Sequence, residues 1–293
     1  MNEQQKRARE GVITAVLAYT MWGFMPVYLI LVKTVPATEM LLHRIIWSVP
    51  FGALIIAMRG QWGEVGRALR SRKMIGWLAL AAFFIALNWL VYIFAVQRQQ
   101  IFQASLGYYI NPLLYVLVGV LFFSEVLRRA QLFAVVLASA GVLVLTFSGG
   151  EFPWISLVLA ASFTVYGVIR RQVEIGGMPG LFIETLLLLP VAMIGFGWLV
   201  NESASVFMDS DWPFRWLVIL SGPITVLPLL CFALAARRLH LTTIGFLQYI
   251  GPSLQFMIGW LNGEVLSSAR LVCFLLIWTA VIVFCADSLR RRS

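Results

Sequence analysis

Charge is scarce in this chain. Only 12% of its 293 residues are Asp, Glu, Lys or Arg, about half the ~25% of a soluble domain. That shortage excludes an ordinary water-soluble fold. Histidine is rarer still, with two copies, His43 and His240, far apart in the sequence. An intramembrane enzyme needs a nucleophile, base or metal cluster at one interface, and none can be assembled here, so no catalytic residues are expected. The three cysteines, Cys231, Cys273 and Cys285, show no metal-ligand spacing. No metal is expected, and apolar packing is their default role. There is no Gly-x-x-x-x-Gly-Lys run and no polar region large enough for a nucleotide-binding domain. An ATP motor is therefore excluded, and no cofactor is called for.

Apolar residues are abundant instead, at 61%. They gather into ten stretches long enough to cross ~30 Å of hydrocarbon: 11–31, 38–58, 74–96, 102–122, 130–148, 153–169, 180–200, 215–236, 242–262 and 269–286. The first follows Lys6, Arg7 and Arg9 as a signal peptide would. It is too long for one, and reads as an uncleaved span. A pI of 9.9 could suggest nucleic acid, but the basic residues alternate from loop to loop. Seventeen fall on one side and four on the other, with Arg44 inside a span. Positive loops face the cytoplasm, so the excess charge is a topology signal that puts both termini inside. Membrane lipid, and not nucleic acid, is the expected surroundings. The basic segment Gly60–Lys73, with Trp62 and Trp77 at its flanks, is expected on the anionic inner leaflet.

The chain contains itself twice. Tyr108-Tyr109-Ile110-Asn111-Pro112 reappears 140 residues later as Gln248-Tyr249-Ile250-Gly251-Pro252. The same offset aligns Gly119 with Gly259, Ala95 with Ala235 and Arg98 with Arg238, and Glu125 then matches Glu264 after one deletion. At an offset of 144, Thr20 and Gly23 align with Thr164 and Gly167. The fold expected is an all-α integral membrane protein, ten transmembrane helices as two inverted five-helix repeats, 11–148 and 153–286. An odd number of spans per repeat forces the second copy in upside down.

Each copy of the duplicated motif is expected to break its helix, since Pro112 and Pro252 leave the carbonyls of Tyr108 and Gln248 without a partner. Tyr108, Asn111 and Tyr115 share one helical face, and Gln248 and Gln255 share its image. Broken polar helices duplicated in two halves point to a transporter's binding site. The bland alternative is that these groups satisfy the freed carbonyls in a packed core. Asn88, whose image is Pro228, marks a further polar point in span three.

Span two carries His43 and Arg44, and the image of Arg44 is Glu184. A buried Arg needs a partner, water or a route to the headgroups. Glu39 is one partner open to Arg44, while Glu184 could face Arg170 or Arg171. The alternative role for Arg44 is substrate or counter-ion binding. His43 and Glu184 are the intramembrane groups suited to proton coupling. In span one Tyr19, Trp22 and Tyr28 flank Gly23 and Pro26, as cavity lining or as interfacial anchors. Ala134, Ala138 and Gly141 suit close packing of a peripheral span five.

These residues resemble the drug/metabolite transporter superfamily in its EamA-type ten-helix form, and most of all its RarD-like branch. The resemblance rests on the near full-length duplication, on Gly263-Glu264-Val265-Leu266 closing one fourth helix, on Ser124-Glu125-Val126-Leu127 closing the other, and on His43-Arg44 ahead of Tyr108–Pro112. Ser124 departs from the family's glycine, and Glu184 stands where a second arginine would be. The resemblance implies a bacterial inner-membrane permease with a central cavity and peripheral fifth helices. The expected function is secondary transport of a small organic solute or drug by alternating access, energised by the solute gradient or a coupled ion, protons included. Its amides, phenols and His-Arg pair suit an amphipathic solute, neutral or anionic. A passive channel is the alternative. Oligomeric state is left between monomer and homodimer.

Overall fold

A computed structural model describes residues 3–123, 129–148, 152–236, 238–239, 243–244 and 247–290, and the regular structure among them is helical throughout. The first expected span is two helices, α1 (Glu3–Gly23) and α2 (Met25–Leu31), jointed at Phe24. Pro26 sits in the first turn of α2, where its missing N–H is tolerated, but the carbonyl of Trp22 loses its helical partner. There follow α3 (Ala37–Met58), α4 (Trp62–Leu69), α5 (Arg72–Gln97), α6 (Ile101–Phe123), α7 (Arg129–Ser148), α8 (Trp154–Arg171) and α9 (Gly177–Asn201). The short α10 (Val206–Asp209) leads into α11 (Trp212–Ile219), α12 (Ser221–Ala236), α13 (Ile250–Leu261) and α14 (Ser268–Arg290).

Among the described residues, eight segments are long and apolar enough to cross a membrane: the α1–α2 unit, α3, α5, α7, α8, α9, the α11–α12 unit and α14. The other two expected spans correspond to α6 and α13, of 23 and 12 residues. The expected break is corrected in the first copy, where α6 runs unbroken through Pro112. The second copy is interrupted at Gln248–Tyr249, and the N–H of Gly251 closes the turn onto the carbonyl of Gln248 at 3.3 Å. Gly251 stands where the first copy has Asn111, and glycine in front of proline weakens the helix further.

Helix pairing follows the duplication. α3 packs on α9, α6 on α13 and α7 on α14, each against its own image. The remaining major contacts come in image pairs: α5 on α8 with α1 on α12, α6 on α8 with α1 on α13, and α12 on α3 with α5 on α9. α7 and α14 stand apart as a peripheral pair. There Ala134, Ala138 and Gly141 are buried, and a Cβ on Gly141 would lie 3.1 Å from the carbonyl of Cys273. The three cysteines are free, with Cys273 buried in this seam.

Two further placements set the frame. The segment expected on the leaflet surface contains α4, which docks on protein: Val65 and Ala68 are buried, Trp62 meets the Phe182 ring at 5.6 Å, and Glu64 accepts the N–H of Gly176 at 2.6 Å. At the far turn, the Glu264 carboxylate accepts the N–H groups of Ile101 and of Phe102 (2.9 Å), capping α6. An acid there complements the positive end of the helix. Burial pushes the Glu264 carboxyl above the usual range, against the opposing pull of those two N–H groups and Arg270. Its counterpart turn at 124–127, the linker 149–151, Arg128, Arg237 and His240 lie outside the described residues.

Candidate functional site

The three- and four-residue spacings put the polar groups of α6 on one face, and that face meets α8 and Asn88 of α5. The Tyr108 hydroxyl donates to Asn88 Oδ1 at 3.1 Å. Asn88 Nδ2 in turn donates to the Leu159 carbonyl and to Ser162 Oγ, both at 3.0 Å. Asn111 Oδ1 accepts from Thr164 at 3.2 Å, and the Tyr115 hydroxyl donates to the Phe163 carbonyl at 3.3 Å. Gly167 makes room for Tyr115, whose ring a Cβ there would strike.

The image face does the same work against α1. Gln255 Nε2 donates to the Trp22 carbonyl at 3.2 Å, the acceptor that Pro26 frees. Gly23 opens space for Leu254, since a Cβ there would lie 2.7 Å from that side chain. Gln248 is half-buried in the turn before α13. The two polar faces therefore point at different neighbours, α8 and α1. Between them the duplicated motifs cross: Tyr109 stacks on its own image Tyr249 at 6.0 Å, its hydroxyl pairs with Ser253 at 2.7 Å, and Ser105 donates to the Pro252 carbonyl at 2.8 Å.

Arg44 does not pair with Glu39. Its Nε donates to Thr225 on α12 at 2.7 Å, and its guanidinium lies over the Trp89 ring, 4.3 Å from the centroid. The close approach depends on Gly222, where a Cβ would collide with the Trp47 carbonyl. Tyr28, Tyr92 and Tyr108 surround the charge, with Tyr92 and Tyr108 rings 5.8 Å apart. Arg44 is 6% exposed. No carboxylate among the described residues forms an ion pair with it.

Glu39 is committed elsewhere. It accepts from Ser205 at 2.7 Å and from the N–H groups of Val206 and Phe207 at 3.1 Å, capping α10. Its remaining neighbour is His43, one turn on, at 3.7 Å. The His43 ring is enclosed by Phe196 and Phe207 at 4.9 and 4.4 Å, and neither ring nitrogen makes a hydrogen bond. Glu184 is fully buried and clamped by the protein: Arg170 lies at 3.4 Å, and Tyr166 donates at 3.2 Å.

Trp89, Tyr92, Ser162, Thr225 and Tyr166 join this network without having been singled out in the sequence. Tyr92 follows Asn88 by four residues on one helical face, a signal that could have found it. Thr225 is 181 residues from Arg44 and offered none.

The sequence profile of the EamA-like transporter family matches residues 9–147. Protein RarD of Escherichia coli strain K12 is 40% identical over 291 residues, spanning 98% of both chains. A protein called an uncharacterized transporter in Vibrio cholerae is 40% identical over 291 residues, 99% of this chain and 96% of its own. A solved crystal structure, 20% identical, superposes with a TM-score of 0.61 over 96% of this chain and 97% of its own, which shows a shared fold.

Proposed function

Because the chain belongs to the EamA-like transporter family, in its RarD-like branch, we propose that it moves a small organic solute across the bacterial inner membrane by alternating access. The chain is a multi-pass membrane transporter. The buried Arg44 supports solute transport, set among Trp89, Tyr92, Tyr108 and Thr225 where three helices from one half meet one from the other. A membrane interior keeps a charge of this kind for function more often than for stability. The two repeats, 11–148 and 153–286, supply the halves that would rock, and the image-related helix pairs support that division. The seventeen-to-four bias of basic residues supports a cytoplasmic position for both termini.

His43 is the coupling group that the geometry favours. It is enclosed, free of hydrogen bonds and next to a carboxylate. A proton arriving there would turn a loose contact into a buried ion pair. Glu184, with Arg170 and Tyr166 already on it, is the weaker of the two coupling candidates.

Uptake into proteoliposomes under imposed solute and pH gradients tests the assignment. Saturable uptake with trans-stimulation is expected, and flux that never saturates would mean a channel. His43→Gln should abolish acceleration by a pH gradient while leaving solute exchange measurable. Unchanged pH dependence would return His43 to a packing role.

A further inference from the structure

No carboxylate of the described residues pairs with the Arg44 guanidinium. A guanidinium carries five N–H donors in a planar fork, and one of them is used here, on Thr225. Removing a full charge from water is costly unless it is compensated. The Trp89 face and one hydroxyl offset part of that cost. Donors without acceptors stand nearby. The Tyr92 hydroxyl is buried without a hydrogen-bond partner, and so is that of Ser221, one turn before Thr225 on α12. The acids on the helices packed around Arg44 are occupied, Glu39 by the α10 N-terminus and Glu184 by Arg170.

On the transporter reading above, we infer that Arg44 receives a carboxylate of the transported solute, with Tyr92 and Ser221 as additional donors and Trp89 as the wall for its apolar body. A fork of parallel N–H groups matches a planar carboxylate with two hydrogen bonds. The aromatic surround of Trp89, Tyr92 and Tyr108 fits an amphipathic molecule better than a small hydrophilic one. A cationic solute is excluded, because it would meet a buried positive charge with no acid to offset it.

The test is charge selectivity at a thiol beside Arg44, in a chain with Cys231, Cys273 and Cys285 replaced by serine. Tyr92→Cys is treated with anionic sulfonatoethyl and cationic trimethylammonioethyl methanethiosulfonate, each rate normalised to a free thiol in solution. The anionic reagent should react at least ~10-fold faster, the ratio falling to about 1 in Arg44→Gln and surviving in Arg44→Lys, which keeps the charge. N-acetylphenylalanine should slow the reaction, and its uncharged amide should not. A ratio of 1 or below with Arg44 in place overturns the inference. So does equal protection by acid and amide, or no reaction with either reagent. If Tyr92→Cys elutes as aggregate, Ser221→Cys gives the same reading from the facing helix. Failure of the two readings can be told apart: anion selectivity without solute flux in proteoliposomes would sink the transporter and leave the anion site, and flux without selectivity would do the reverse.

Discussion

Arg44 and Glu184 occupy image positions in the two repeats, on helices α3 and α9 that pack against each other. Both are buried, yet their surroundings differ. Glu184 has Arg170 at 3.4 Å and the Tyr166 hydroxyl at 3.2 Å. Arg44 has one hydroxyl, an aromatic face and, among the described residues, no acid. The same place in a duplicated fold has been closed by protein in one half and left open in the other. On the anion-site proposal, the contrast separates a charge that ties helices together from one that would meet a ligand. Burial alone would have treated the two alike.

The largest effect is expected where the closed half is opened. Glu184→Ala leaves Arg170 without its acid and should lower stability by about 3 kcal/mol. In detergent that is a loss of roughly 6–12 °C at ~2–4 °C per kcal/mol. Glu184→Gln with Arg170→Gln should recover part of the loss. A single variant that melts with the wild type would remove the structural role given to Glu184.

Next come the paired glycines. Gly167→Ala would press on Tyr115, and Gly23→Ala on Leu254. Overpacking at each should cost about 1–3 kcal/mol, and the two losses should be similar because the two sites do one job at image positions. A loss confined to one half would break the symmetry argued from α6–α8 and α1–α13. Tyr108→Phe is milder, removing one hydrogen bond to Asn88 at about 1 kcal/mol.

The smallest expected effect is a pH dependence at Glu264, outside the spans. Burial raises its carboxyl in the folded chain, so the folded state holds the proton more tightly than the unfolded one. Its contribution is present below the ordinary carboxylate pKa and is lost as pH rises through the raised value. Melting temperature should therefore drop slightly across that window, and Glu264→Gln should flatten the drop. A slope of the opposite sign would mean that the two N–H groups outweigh burial.

Much of the frame is legible in the sequence, because it is carried by period and offset. Apolar stretches mark the helices, the 140-residue repeat foretells that Tyr109 and Tyr249 hold equivalent places, and the spacing of Tyr108, Asn111 and Tyr115 puts them on one face. What the repeat does not carry is which neighbour each face meets. Gln255 lies on the image of the α6 polar face, yet it serves the Trp22 carbonyl that Pro26 frees on α1. Glu39 looked like the partner of Arg44, but the N–H groups of α10, more than 160 residues on, claim it. Proline arithmetic also misjudged α6, which continues through Pro112, because one missing N–H costs less than unwinding a helix in hydrocarbon.

One pair of melting curves tests the contrast most directly. Arg44→Met keeps the apolar stem over Trp89 and deletes a buried charge that no described acid pairs, and Glu184→Gln deletes a paired one. Thermal unfolding of the purified protein in detergent, without added solute, should rise by a few degrees for Arg44→Met, since the desolvation cost disappears, and fall for Glu184→Gln. A fall of similar size in both would show that Arg44 is held by the protein as firmly as Glu184, and the open site would be lost.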